Sequence, residues 1–350
     1  MRISVFMKTG DADTMYYLSA LVATKLFSRI DVYRDQSAMP LDGVVYHKNH
    51  LFKKGFVRLI ERFLSALLQK DRPDMYIGVY EIPHGVLAWF VSRLRRRGFI
   101  LSIIGNPGHT GLRKGVRLYI MKHMIRCASA VTVTGYRSKQ VLKDMGVNED
   151  KVFALPNSIP IELFKDLSIK DRPYDLISLG RISPEKHIDI ILKIVQRLGP
   201  DLELQVAIAG RGPSVEGIND IVKEFGLNHQ IHMLGFIPDN ELESFFNSGK
   251  IFVVCSETEG FPRTILQAAS CGSLIVSSSV GDIPEIIRNG ENGFLVDPYD
   301  NIDEYCSFIT QALRDSDASL NMSQRLQKEV HNLFSTESAA KVWVSIFKSV

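Results

Sequence analysis

With 350 residues, 45% of them apolar, the chain has more material than one hydrophobic core absorbs, so two domains are expected. No apolar run approaches the roughly 20 residues of a membrane-spanning helix. The four scattered cysteines, Cys127, Cys255, Cys271 and Cys306, include no CxxC pair and read as small buried hydrophobes, against a zinc site or a disulfide framework. The net charge of +3 conceals an asymmetry: residues 1–166 hold 26 Lys and Arg against 14 Asp and Glu, net +12, and the remainder 16 against 25, net −9. A basic first half points to an anionic partner, either nucleic acid or a lipid surface.

The chain opens on RISVFM, which reads as a strand and not as a signal peptide, so a cytosolic protein is expected. A first loop, MKTGDADT, follows, with Gly10 as its one glycine. Residues 49–72 place Phe56, Leu59, Ile60, Phe63, Leu64, Leu67 and Leu68 at helical spacing beside Lys53, Lys54, Arg58, Arg62 and Lys70. That is a basic amphipathic helix, suited either to peripheral attachment on anionic lipid or to packing on the core with a solvated back. Next come the strand DMYIGVY, the segment EIPHG with Glu81 and His84, the arginine-rich VSRLRRRG, the strand FILSIIGN with His109 just beyond, and the strand SAVTVTG. Nucleic acid is not expected as a partner, because aromatic residues are not interleaved with the arginines as stacking platforms.

The first series ends near KVFALPNSIPIELF, and the polar stretch 165–173 reads as a linker. A second series follows: YDLISLG, LQVAIAG, IHMLGF, IFVVCS, SLIVSS and GFLVDP. Short β-branched runs alternating with helical patterns are the rhythm of βα units, so the fold class is α/β with two doubly wound, Rossmann-like domains. The expected boundaries are 1–166 for a first domain, 167–330 for a second, and 331–350 for a closing amphipathic helix, a candidate to pack back on the first domain. Parallel sheets bind ligands outside the carboxyl ends of their strands, so two facing sheets predict an interdomain cleft.

Three segments of the second half carry chemistry. In SETEGFPRTILQAAS, Glu259 precedes Gly260-Phe261-Pro262 and a short helix, whose free N–H groups favour an anion such as phosphate, while the carboxylate accepts from hydroxyls. In LGRISPEKHID, Gly180-Arg181 leaves a strand and Lys186 stands five residues on, so two cations converge at one strand end. In AIAGRGP, Gly210 and Gly212 permit a tight turn near a ligand. This is half of a dinucleotide fingerprint, but no acidic residue ends the next strand.

These segments, with IHMLGFIPDNELESFFNSGK, SSSVGDIPEII and NGENGFLVDPYD in the same order and spacing, resemble the donor-binding domain of retaining family 4 glycosyltransferases of the GT-B fold. The likeness covers nearly all of residues 174–300; the first half is similar only in organisation. The resemblance implies that Arg181 and Lys186 stabilise a leaving diphosphate and that Glu259 holds a hydroxyl of the transferred sugar. The backbone of Phe261, Pro262, Arg263, Thr264 and Ile265 would contact sugar and phosphate, and Gly235, Phe236 and Ile237 would line the base. The family pattern has a second glutamate eight residues after the first, on the ribose hydroxyls, where this chain has Gln267. An amide accepts from one hydroxyl and donates to the other, at a cost of ~1 kcal/mol. In the first half the family has a glycine-rich first loop, here Gly10 alone, and a reaction-centre histidine, for which His109 and His84 both stand as candidates.

The resemblance thus implies a retaining glycosyltransferase that moves a sugar from a UDP-, GDP- or ADP-linked donor to a growing, lipid-linked glycan in cell-surface polysaccharide or lipopolysaccharide assembly. No cofactor and no metal are expected, Asp11 and Asp13 being far in sequence from the donor signature. The expected place is the cytoplasm, peripheral at the inner face of the plasma membrane. The alternatives are a nucleotide-sugar epimerase of the same architecture and a non-catalytic nucleotide-sugar-binding or scaffold protein.

Overall fold

The computed structural model describes residues 1–35, 38–48, 57–105, 107, 115–199 and 201–350. The chain divides into two compact units, Met1–Ser158 together with Thr336–Val350, and Ile159–Ser335.

The first unit runs β1 (Arg2–Phe6), α1 (Asp11–Ala23), β2 (Arg29–Tyr33), β3 (Val44–His47), α2 (Val57–Leu68), β4 (Met75–Val79), α3 (Val86–Arg95), β5 (Gly98–Ser102), α4 (Gly115–Cys127), β6 (Ala130–Val133), α5 (Tyr136–Asp144) and β7 (Val152–Ala154). Among the described residues its strands make one seven-stranded sheet, β3-β2-β1-β4-β5-β6-β7, parallel throughout. Both faces are covered, so an interior strand such as β4, MYIGV, is buried at every position. Strands β2, β3 and β7 lack a plain apolar signature. In β2, RIDVY, the buried Asp31 accepts from Arg29 (2.8 Å) and pairs with His47 of β3 (2.6 Å), so charges interrupt the hydrophobic run.

The second unit runs β8 (Tyr174–Leu179), α6 (Ile188–Leu198), β9 (Val206–Ala209), α7 (Val215–Glu224), β10 (Ile231–Gly235), α8 (Leu242–Asn247), β11 (Gly249–Val254), α9 (Arg263–Ser270), β12 (Leu274–Ser278), β13 (Phe294–Val296), α10 (Ile302–Arg314) and α11 (Ser316–Leu333). Its sheet is six-stranded among the described residues and parallel, β10-β9-β8-β11-β12-β13. Each sheet has one point where strand order reverses, between β1 and β4 in the first and between β8 and β11 in the second. Ligands of open α/β sheets collect outside the carboxyl ends of the strands at such points.

Two boundaries differ from the sequence expectation. The stretch read as a linker, 165–173, belongs to the second unit: Phe164 is buried edge-on to Phe246, and Arg172 donates to the carbonyls of Gly249 (2.9 Å) and Cys271 (2.8 Å). A guanidinium fixed on carbonyls of the sheet's entry loops makes a polar stretch part of the domain, so the first division falls after Ser158 instead of residue 166. At the other end α11 continues to Leu333, and the closing helix α12 (Thr336–Ser349) joins the first unit, its Trp343 fully buried and edge-on to Tyr17 at 5.8 Å. The cysteines also need one correction. Cys255, Cys271 and Cys306 are buried, but Cys127 is half-buried with Sγ 3.6 Å from His123 Nε2, because the two stand one turn apart on α4.

Candidate active site

The second unit gathers its chemistry at the β8/β11 switch point. Arg181 follows β8 and is exposed; Lys186 ends a 3-10 turn, Pro184–Lys186, that leads into α6. Glu259 lies in the loop after β11, just before α9. The fold brings Lys186 Nζ onto Glu259 Oε1 in an ion pair, and Ser256 Oγ donates to the same oxygen at 2.8 Å. Both groups are largely enclosed, with side-chain exposures of 24% for Lys186 and 12% for Glu259, which strengthens their attraction over that of a surface pair.

Backbone links set this geometry. Glu257 N donates to Glu185 O (3.0 Å), tying the β11 exit to the β8 exit. Ser183 Oγ donates to Glu185 Oε1 (2.6 Å), and this hydroxyl holds the Glu185 carboxyl below its ordinary range, with the charges of Arg181 and Lys186 adding to the effect. Behind the loop, Asp282 N donates to Gly260 O (2.9 Å), and Ser278 Oγ donates to Ser256 O (2.7 Å). A Cβ on Gly281, which has φ +58°, would stand 2.3 Å from the Glu259 carbonyl oxygen, so only glycine allows this approach. Phe261 is buried, stacked on Phe334 at 4.9 Å, so the loop presents its backbone and not this side chain.

Helix α9 begins after Pro262, which supplies no side-chain cap, so the N–H groups of its first turn carry the positive end of the dipole without an internal acceptor from the N-cap side chain. Pro262, Arg263 and Thr264 are half-buried at this mouth, and Ile265 is buried on the core side. Gln267, one turn further, is buried, 5% exposed.

Gly210 and Gly212 have a role beyond a tight turn. A Cβ on Gly210 would lie 1.8 Å from Gly180 O, and one on Gly212 would lie 1.9 Å from Ile182 O. The loops after β8 and β9 therefore press backbone against backbone beside Arg181. Gly210 N also donates to Gly235 O (2.6 Å), extending the contact to the end of β10. There Phe236 is 56% exposed, with the Arg211 guanidinium 4.9 Å from its ring centre, next to the half-buried Ile237. Such a cation–aromatic step is suited to stacking a planar ring.

Sequence reasoning does not single out Ser256, Ser183, Gly281 or Arg211. Their one signal is a small or basic residue in the loop that follows a strand. Among the remaining candidates, His109 lies outside the described residues. Gly10 is in the first unit, where it precedes α1 and its carbonyl accepts from Thr14 N (2.9 Å). Asp11 there is engaged by Arg34 Nη2 at 2.7 Å.

The basic amphipathic helix is described over Val57–Leu68; Lys53, Lys54 and Phe56 lie outside the described residues. Its apolar face is divided: Phe63 packs against the core, and Leu59 and Leu67 are half-buried. Arg62 and Ala66 are buried, whereas Ile60, Leu64 and Leu68 are exposed, and α3 beside it exposes Phe90 and Leu94 with Arg93, Arg96 and Arg97. No helix among the described residues is long and apolar enough to cross a membrane.

Comparison with known proteins agrees with this geometry. Residues 161–329 match the family model of glycosyl transferases group 1. The chain is 25% identical over 311 residues to an uncharacterized glycosyltransferase of Methanocaldococcus jannaschii, covering 82% of this chain and 80% of that one. It is also 25% identical over 298 residues to N-acetyl-alpha-D-glucosaminyl L-malate synthase of Bacillus anthracis, covering 82% and 77%. The structure of Anabaena HepE in complex with UDP-glucose superposes over 100% of both chains with a TM-score of 0.84 at 18% identity. The second unit is thus a group 1 glycosyltransferase domain, and the chain is a glycosyltransferase of the GT-B fold.

Proposed function

We propose that the second unit binds a nucleotide diphosphate sugar and that the enzyme transfers the sugar, with retention and without a metal, to a hydroxyl of a glycan acceptor carried on lipid. The observation that carries this reading is the Lys186–Glu259 pair at the uncapped mouth of α9. An ammonium and first-turn N–H groups offer a diphosphate its counter-charges, and a carboxylate offers a sugar hydroxyl its acceptor. When a donor enters, Lys186 exchanges Glu259 for a diphosphate oxygen, and Glu259 is released to the sugar. Cleavage of the sugar–phosphate bond builds oxocarbenium character on the sugar and charge on the leaving diphosphate. Arg181, Lys186 and the helix N–H groups stabilise that charge as it forms. Retention follows if the acceptor hydroxyl attacks from the leaving-group side and passes its proton to a diphosphate oxygen. Phe236 and Arg211 offer the base a stacking surface, and the UDP-glucose held by Anabaena HepE supports a uridine donor as the first to try.

The exposed Ile60, Leu64 and Leu68 of α2 and the arginines at the end of α3 and just past it support an anionic membrane surface as the place where the acceptor is met. The test of the reaction class is product analysis after incubation with UDP-sugars and candidate acceptors. Net transfer with the α-configuration kept supports the proposal. A rearranged donor formed without any acceptor would identify an epimerase, and intact nucleotide binding without turnover a scaffold.

A further inference from the structure

The first unit has its own switch point, and it gathers charge and unsatisfied polar atoms that the donor chemistry does not use. Lys8 follows β1, Arg34 and Asp35 follow β2, and Glu81 and His84 follow β4; these strands are neighbours in the order β2-β1-β4. Arg34 is 5% exposed. Its Nη2 donates to Thr9 O (3.1 Å) and Asp11 Oδ1 (2.7 Å), while its Nε and Nη1 are buried without a hydrogen-bond partner among the described residues.

His84 is 2% exposed, and its Nδ1 lies 3.4 Å from Arg62 Nη1. With Nδ1 accepting, the ring proton sits on Nε2, which is likewise buried without a partner. Burial and the charge of Arg62 push the His84 pKa down to about 3, so the ring is neutral and keeps this tautomer. Glu81 is 4% exposed with Oε1 unsatisfied, and burial raises its pKa. The residue before it, Tyr80, holds φ +65°, a conformation that a non-glycine residue seldom takes.

Ion pairs surround these atoms. Arg58, Arg62 and Lys8 all face Asp35, with Arg58 at 3.1 Å and Lys8 at 3.9 Å, and Arg34 faces Asp11. Arg34 and Arg58 are close enough to Arg62 that their charges disfavour its own. Buried donors left without acceptors are costly unless an acceptor such as an anion meets them.

We propose that the carboxyl ends of β1, β2 and β4 form a phosphate site, with Arg34 Nε and Nη1, His84 Nε2–H and Lys8 as its donors, and that it holds a phosphate group of the acceptor. The assignment to the acceptor rests on the glycosyl-transfer reading; the phosphate site does not. The phosphate belongs either to a lipid headgroup or to a soluble sugar phosphate.

The test is a phosphorus-NMR titration of the full chain with inorganic phosphate, on the wild type, Arg34→Gln and Lys186→Ala. The expected result is saturable binding that weakens about tenfold in Arg34→Gln and is unchanged in Lys186→Ala. No saturable binding by the wild type overturns the proposal. So does loss of binding in Lys186→Ala with Arg34→Gln unchanged, which would put the anion in the second unit and leave the donor reading intact. If Arg34→Gln does not fold, the exposed Lys8→Ala carries the same test, with about a threefold loss expected and no loss overturning the proposal. Competition by dihexanoyl phosphatidic acid and by glucose 6-phosphate then separates the sources, the lower displacing concentration identifying the headgroup or the sugar phosphate. A UDP thermal shift retained in Arg34→Gln shows that the donor site is independent of the outcome.

Discussion

Glu259 Oε1 accepts from Lys186 and Ser256 together, so the two charged residues hold each other in place. They separate by role when substituted. Lys186→Ala removes a counter-charge to the diphosphate and is expected to lower transfer about 100-fold while weakening nucleotide affinity. Glu259→Gln keeps shape and removes charge, and steady-state kinetics should show a fall in kcat that exceeds the change in nucleotide affinity. Wild-type rates in both variants would contradict the assignment. The sequence names Lys186 and Glu259 separately, because a charged residue just past an apolar run stands out in a short window. Their meeting across 73 residues, and the Gly281 backbone that presses on Glu259 from a third strand exit, belong to the fold and leave no local mark.

At the level of elements, the loops after β8 and β9 fit only because Gly210 lacks a side chain. Gly210→Ala must find room for a Cβ 1.8 Å from Gly180 O at φ +139°. It is expected to destabilise the second unit by about 3 kcal/mol or more, read as a lower urea midpoint, and an unchanged midpoint would contradict the packing. Helix α2 makes the opposite kind of prediction, since its exposed stripe contributes little to folding. Serine at Ile60, Leu64 and Leu68 together should lower partition onto anionic vesicles at least about tenfold with stability preserved; unchanged co-sedimentation would remove the membrane reading. Strands of the second unit are legible in the sequence where an apolar run is buried on both faces, as in β9, VAIA, which is buried at every position. Strands β2 and β3 are not, because the buried Asp31 with its Arg29 and His47 partners gives them a polar look. The exposure of Ile60, Leu64 and Leu68 on α2 is equally hidden. Periodicity places Ile60, Leu64 and Leu68 on one face but does not say whether that face meets the core.

Over the whole molecule, two parallel sheets each put charged loops at the one point where strand order reverses, and the same topological rule locates the Lys186–Glu259 pair and the Arg34–His84 cluster. Composition and βα rhythm predict two α/β domains. The closing amphipathic helix, expected as a candidate to pack back on the first domain, does join it, and the burial of Trp343 against Tyr17 brings together residues from opposite ends of the chain. The sequence does not say whether glutamine at position 267 leaves nucleotide binding intact. That question is settled by thermal unfolding of the purified protein with UDP, GDP, ADP and their sugar conjugates, with and without EDTA, beside the Lys186→Ala variant. A rise in Tm selective for one nucleotide, insensitive to EDTA and lost in Lys186→Ala is the expected result. A rise abolished by EDTA, or none with any nucleotide, would contradict a metal-independent donor site in the second unit.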